Sequence, residues 1–278
     1  MTELREPSVI LLDIDGTVVN YNLQIPQSAS DAISQARANG HLIYLCTGRA
    51  KAEIYEFLWD LGIDGLILGN GAYVEDEGEV IHRQVMDPEV VERAIEWLDA
   101  QGLGYYLECN SGLFATDNLP DMTVLAVGDD NPNMRELWEE AMAAAVYDTS
   151  RGRDDVNKIS FALSHPVDLD DLAQQFEGDA RISTWTASGK KQEFGEFGQI
   201  GIHKAVGVDA LAQHRGISRE QMIAFGDAEP DLELIEYVGT GVAMGNGAQV
   251  LKDHADLVAD HIDEDGLAKA FRTLGLIE

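Results

Sequence analysis

The apolar run Val9-Ile10-Leu11-Leu12 ends directly in Asp13-Ile14-Asp15-Gly16-Thr17. Four apolar residues stopped by acids and a glycine read as a buried strand that opens into a functional loop. The same design recurs along the chain. Leu42-Ile43-Tyr44-Leu45-Cys46 opens onto Thr47-Gly48-Arg49, Leu66-Ile67-Leu68 onto Asn70-Gly71, and Met222-Ile223-Ala224-Phe225 onto Gly226-Asp227. Helical stretches are expected at 28–39, before Gly40, and at 51–61, before Gly62. Strands alternating with helices through short connections predict a parallel sheet covered by helices.

The alternation returns near residue 200. A helix is expected over 203–215, stopped by Gly216, and Ser218 and Gln221 have capping-box spacing before the next strand. Short strands at 241–244 and 257–258 and a helix at 266–274 complete this part. The stretch 84–188 reads differently. Asp87-Pro88 and Asn131-Pro132 predict helix starts, and 123–127 and 158–163 predict strands. Elements without strict alternation point to an α+β unit. The expectation is an α/β protein: 1–83 and 189–278 form a Rossmann-like parallel-sheet core, and 84–188 form an inserted α+β cap domain.

With 278 residues the chain can form one large domain or two ordinary ones. No apolar stretch approaches a membrane span, and Met1-Thr2-Glu3-Leu4-Arg5-Glu6 lacks the character of a signal peptide. The two cysteines, Cys46 and Cys109, predict no disulfide framework, so a cytoplasmic location is expected. There are 50 acids against 19 bases, a formal charge of −31. That field repels nucleic acid and anionic membranes and argues against both as partners. It also repels an anionic substrate at long range, but salt screens it over about 8 Å, so local cations can still hold one.

Asp13 and Asp15 can face one site. Two ionised carboxylates about 4 Å apart repel by roughly 4 kcal/mol at an effective dielectric of about 20. That cost calls for a bound cation or for one carboxyl kept protonated. Each other segment has a bland reading beside the functional one. Thr47-Gly48 is either a helix entry or a hydroxyl with exposed amides for a phosphate. Lys204 is either a solvated helix-start lysine or a cation that holds a phosphoryl group against the acids. Asp227 is a candidate third carboxylate, and Asp231 could simply cap a helix. Arg151, Arg153, Lys158, Lys190 and Lys191 concentrate bases in or beside the acidic insert; most are expected to be solvated. The seven histidines show no metal-ligand spacing.

Taken in order, these segments resemble the four motifs of the haloacid dehalogenase superfamily. Asn70-Gly71-Ala72, Gly201-Ile202-His203-Lys204, Val242-Ala243-Met244-Gly245-Asn246 and Asp263-Glu264-Asp265-Gly266-Leu267 resemble its Cof-type phosphatase subgroup. The resemblance implies phosphoryl transfer with Asp13 as nucleophile and Asp15 as general acid, then base. It implies that Thr47, Gly48 and Lys204 hold the phosphoryl oxygens. It further implies Mg²⁺ on Asp13, the backbone carbonyl of Asp15 and Asp227, supported by Asp231. Arg49, Asn70, Arg151, Arg153 and Lys158 become candidates for substrate binding. The implied partner is a small phosphate monoester, a sugar phosphate or a phosphorylated cofactor, and Asp15 argues against dehalogenation. Pro230 stands where the subgroup usually has Asn. It opens an alternative, a weakly active phosphate-binding or regulatory protein; a phosphotransferase or mutase is the other.

Overall fold

The computed structural model describes residues 8–128, 138, 142–148, 152–186 and 191–278. They form two compact units. The first takes the chain up to Gly48, Tyr55–Arg83 and His203–Glu278; the second takes Arg49–Ile54 and Gln84–Ile202.

The first unit is built on an eight-stranded sheet. Its order is Leu257–Val258, Thr240–Ala243, Met222–Gly226, Val9–Leu12, Leu42–Cys46, Gly65–Leu68, Tyr73–Asp76 and Glu79–Arg83. The first six strands are parallel. Val9–Leu12 lies at the centre and is buried throughout. Leu12 pairs with Phe225 on one side and Leu45 on the other, so the loops carrying Asp13, Asp227 and Thr47 leave from the same edge. Ligands of open parallel sheets bind at that edge. The helix Gln27–Ala38 buries Ala29, Ala32, Ile33 and Ala36, the spacing of one helical face.

Two features differ from the expectation. The last two strands form an antiparallel hairpin. Its turn, Glu77-Gly78, has positive φ at both residues, as a type I′ hairpin turn requires. The helix expected over 51–61 is instead two 3₁₀ turns, Lys51–Glu53 and Glu56–Leu61, separated by extended Ile54 and Tyr55. Glu53 closes the first turn by accepting from Ala50 N at 2.7 Å. Tyr55 stacks on Phe57 with centroids 5.1 Å apart, a contact between i and i+2 that an α-helix does not allow.

The second unit has a six-stranded sheet: Arg181–Trp185, Phe194–Gly198, Val156–Ala162, Tyr105–Cys109, Gly112–Ala115 and Ala145–Val146. All pairs are antiparallel except the last. Leu107, Ile159, Phe161 and Phe197 pack against Val91, Ile95 and Leu98 of the helix Pro88–Gln101 and Leu172 of the helix Leu169–Gln175. Asp87 caps the first of these by accepting from Glu89 N at 2.8 Å. Phe194–Gly198 belongs to this sheet, so the unit runs to Ile202 rather than stopping at 188. The strand expected over 123–127 is the helix Leu119–Val127. Its buried residues Leu119, Thr123, Ala126 and Val127 follow a helical period, and a short apolar run alone does not distinguish the two. The expected start at Asn131-Pro132 lies outside the described residues. Among the described residues no helix is long and apolar enough to cross a membrane.

Candidate active site

The pairing of the central strands continues one residue past Leu12, because Asp13 N donates to Phe225 O at 3.0 Å. Asp13 is thereby set beside the Gly226-Asp227 loop. Asp13, Asp227, Asp231 and Lys204 are all buried. Lys204 Nζ lies 2.6 Å from Asp13 Oδ1 and also donates to Asp231 Oδ1. The second oxygen of Asp231 accepts from Asp227 N and Ala228 N, each at 3.1 Å. Asp231 is therefore committed on both oxygens and fixes the loop that carries Asp227. Gly226 permits this: a Cβ there would sit 2.4 Å from Asp231 Cγ. Asp227 Oδ2 rests against Gly16, whose φ is +83° and whose Cβ, if present, would lie 2.1 Å from that oxygen. Asp227 Oδ1 is buried without a hydrogen-bond partner.

Three carboxylates and one ammonium leave this cluster with a formal charge of −2 when all are ionised. Burial, and then the charges of Asp231, Asp227 and Asp15, hold the Asp13 carboxyl well above the carboxylate range despite Lys204. Burial and the Asp231 charge push Asp227 up to about 7. Burial opposes the charge on Lys204, but Asp13 and Asp231 outweigh it and raise its pKa. A divalent cation would balance the cluster and let every carboxyl ionise. The donor set fits one. Ligand atoms from Asp13, Asp227 and Asp231 lie within 4.8 Å of one another, and the buried, unpartnered Asp227 Oδ1 is a hard donor among them.

Thr47 and Asn70 close on each other from neighbouring strands: Thr47 N donates to Ile67 O at 2.9 Å and Asn70 N to Thr47 O at 3.1 Å. Asn70 adopts φ +55° and its amide lies against Gly48, where a Cβ would be 3.0 Å from Asn70 Oδ1. Gly71 lets this loop approach the start of the helix Lys204–Arg215, since a Cβ would lie 2.4 Å from His203 O. Thr47, Gly48, Asn70 and Lys204 are thus gathered in the first unit. Thr47 caps no helix, because the following turn begins at Lys51 with Ala50 as its cap. Asp15 is exposed, its backbone bridges to Val19, and its side chain is outside the buried acidic cluster.

The remaining candidates lie in the second unit. Arg49 donates to Glu53 O at 3.1 Å. Arg153 lies over the Phe114 ring, 3.1 Å from its centroid, and 3.9 Å from Asp155. Lys158 sits between Glu108 at 3.2 Å and Glu196 at 2.9 Å. Arg151 is outside the described residues. Two further residues join the first unit's site. Asn246 donates to Gly16 O at 2.7 Å and accepts from Ile262 N at 3.0 Å. Tyr21 donates to Asp227 Oδ2 at 3.2 Å. Asn246 was visible only as part of a resembling segment, and nothing in the local sequence marks Tyr21.

The profile of the haloacid dehalogenase-like hydrolases matches residues 10–271, and the chain belongs to that family. Its relatives include phosphatases that align along their whole length. The putative phosphatase YkrA of Bacillus subtilis is 26% identical over 288 residues, spanning 98% of this chain and 100% of the relative. The 5-amino-6-(5-phospho-D-ribitylamino)uracil phosphatase YitU of the same organism is 26% identical, spanning 95% of this chain and 96% of the relative. Among solved structures, the subclass IIB sugar phosphatase BT4131 superimposes with a TM-score of 0.78 at 26% identity, over 97% of this chain and 100% of that one.

Proposed function

We propose that this protein is a Mg²⁺-dependent phosphatase that hydrolyses small phosphate monoesters, sugar phosphates or phosphorylated cofactors, through an aspartyl-phosphate on Asp13. The observation that carries the reading is the buried Asp13 held by Lys204 beside Asp227 and Asp231 at the end of the central strands. The sugar and cofactor phosphatases among the relatives support the substrate class.

In this reading an Asp13 carboxylate oxygen attacks phosphorus as the bond to the leaving oxygen breaks. Asp15, exposed beside it, donates a proton to that oxygen, which departs as an alcohol. Asp15 then takes a proton from a water that attacks the phosphorus. The Asp13–phosphorus bond breaks, releasing inorganic phosphate. Lys204 and the Thr47-Gly48 segment hold the phosphoryl oxygens. Asp13, the Asp15 carbonyl and Asp227 would hold Mg²⁺, with Asp231 fixing the Asp227 loop. When bound, Mg²⁺ neutralises the acidic cluster and withdraws charge from the phosphoryl oxygens. The second unit serves as the cap that selects the leaving group, a role supported by its place as an insertion between Arg83 and His203.

The test is a phosphate-release screen over sugar phosphates, nucleotides and phosphorylated cofactors, with Mg²⁺ and with chelator. Asp13→Asn serves as the control. Chelator-sensitive release that Asp13→Asn lacks is expected. Release that is equal in Asp13→Asn would overturn the reading. Pro230 favours a second reading, in which the protein binds phosphate esters and turns them over poorly; binding without release would support it.

A further inference from the structure

Tyr21 is 75% exposed, so its ring gains little from burial, yet its hydroxyl is placed on the buried Asp227. The loop that presents it is tightly made. Asn20 Oδ1 accepts from Asn22 N and Gln24 N at 3.0 and 3.1 Å, and Asn20 N donates to Gln24 O at 2.9 Å. Asn20 Nδ2 anchors the loop to Asp263 at 2.8 Å. Tyr21 is thus carried by a backbone with few alternatives. The oxygen it meets, Asp227 Oδ2, is walled on another side by Gly16, whose carbonyl is held by Asn246. The other oxygen, Oδ1, is buried and has no hydrogen-bond partner.

We propose that Tyr21 is a positioning residue for the metal site: its hydroxyl holds Asp227 Oδ2 and so leaves Oδ1 as the oxygen offered to Mg²⁺. A carboxylate with one oxygen restrained loses less rotational freedom when the other binds a cation. Hydrogen-bonding partners of metal ligands typically contribute about 10- to 100-fold in metal affinity. A single 3.2 Å bond from an exposed phenol belongs at the lower end of that range. The inference rests on the Mg²⁺ reading of the acidic cluster.

Mn²⁺, which suits the same oxygen donors, is the probe. Its binding to the full chain is titrated by electron paramagnetic resonance in the wild type, Tyr21→Phe and Asp227→Asn. Tyr21→Phe is expected to raise the Mn²⁺ Kd about tenfold, within the range for such partners. In turnover assays the half-saturating Mg²⁺ concentration should rise in proportion, with a smaller change in kcat. The metal-free melting temperature should stay close to the wild type, because only an exposed hydroxyl is removed. If Asp227→Asn loses Mn²⁺ and Tyr21→Phe binds it as the wild type does, the Tyr21 role is overturned while the metal site stands. If Asp227→Asn binds Mn²⁺ normally, the metal reading fails and the inference with it.

Discussion

Lys204 Nζ lies 2.6 Å from Asp13 Oδ1, although the two residues are 191 positions apart in the chain. The ammonium has three donors. Asp13 and Asp231 take two, which leaves one for the phosphoryl oxygen of the proposed substrate. One cation thus stabilises the folded loops of both chain segments and stands beside the proposed nucleophile.

Lys204→Met should be costly to the fold as well as to activity. It leaves Asp13 and Asp231 buried without their shared cation. Breaking a buried pair from one side typically costs about 3–5 kcal/mol. Urea denaturation without Mg²⁺ should show a loss of that order, partly recovered when Mg²⁺ is added. A variant as stable as the wild type would show that Asp13 and Asp231 simply take up protons instead.

Asp13→Asn keeps the shape of the side chain and removes the attacking carboxylate. Phosphate release should fall to background. Brief incubation with substrate followed by acid quench and peptide mass spectrometry should yield a phosphorylated peptide containing Asp13 in the wild type and none in the variant. A phosphorylated peptide that lacks Asp13 would move the nucleophile elsewhere.

Metal binding should weaken as the pH falls. Burial, and then the Asp231 charge, push the Asp227 carboxyl from the ordinary 3.8 up to about 7. The folded state therefore holds a proton between those values that the unfolded state has released. Stability falls as pH rises from about 4 to about 7, and this loss is what a bound cation reverses. Below about 7 the metal must also displace the Asp227 proton, and that group alone lowers the affinity by up to about tenfold per pH unit. Calorimetric titration of Mg²⁺ at pH 6 and pH 8 checks both the affinity and the proton release. Equal affinity at the two values would contradict the proton competition.

The parallel half of the first unit could be read from the sequence because each strand is an apolar run that ends in a functional loop. Asp13, Thr47 and Asp227 stand at such ends, so their meeting follows from a parallel sheet, and Lys204 joins them from the start of the helix Lys204–Arg215. The hairpin of Tyr73–Asp76 and Glu79–Arg83 was harder, since its edge carries glutamates and its turn lies in the φ of Glu77 and Gly78. The helix Leu119–Val127 is not distinguished from a strand by its sequence, because the short run 123–127 suits either a buried helix or a buried strand. The pairing of Asp231 with both Lys204 and the Asp227 loop is a tertiary fact, as is the reach of Tyr21 to Asp227. Neither leaves a periodic trace in the chain.

Glu108 should make the second unit less stable at higher pH. It is buried beside Lys158 and Glu196 and accepts from Ser160 Oγ at 2.8 Å. Burial and then the Glu53 charge raise its carboxyl well above the ordinary value of 4.5, although Lys158 opposes them. The folded state thus keeps a proton that the unfolded chain loses, and stability falls as pH rises above about 4.5, by at most about 1.4 kcal/mol per pH unit. Glu108→Gln retains the acceptor for Ser160 and does not titrate. Its stability relative to the wild type should be more favourable at pH 8 than at pH 5 in paired urea denaturations. Parallel profiles for the two proteins would show that Glu108 is ionised throughout.

Pro230→Asn should separate activity from stability. Pro230 is exposed in the 3₁₀ turn Glu229–Asp231, directly before the aspartate that holds Lys204 and the Asp227 loop. The turn closes through Asp231 N and Ala228 O at 2.9 Å, a bond that does not involve residue 230, so asparagine can enter without breaking it. Proline offers neither a side-chain amide nor a backbone N–H. An amide that reaches the phosphate or a metal-bound group would add a hydrogen bond to a charged partner, typically about 1.5–3 kcal/mol. Acting in the transition state, that is roughly a ten- to hundredfold rise in kcat/KM. The unfolded chain meanwhile gains freedom when proline is removed, so stability should drop by about 0.4–1 kcal/mol. Mg²⁺ affinity should be unchanged, because Asp227 and Asp231 keep their partners. A variant that is less stable and no faster would show that position 230 shapes the turn and contributes nothing to turnover.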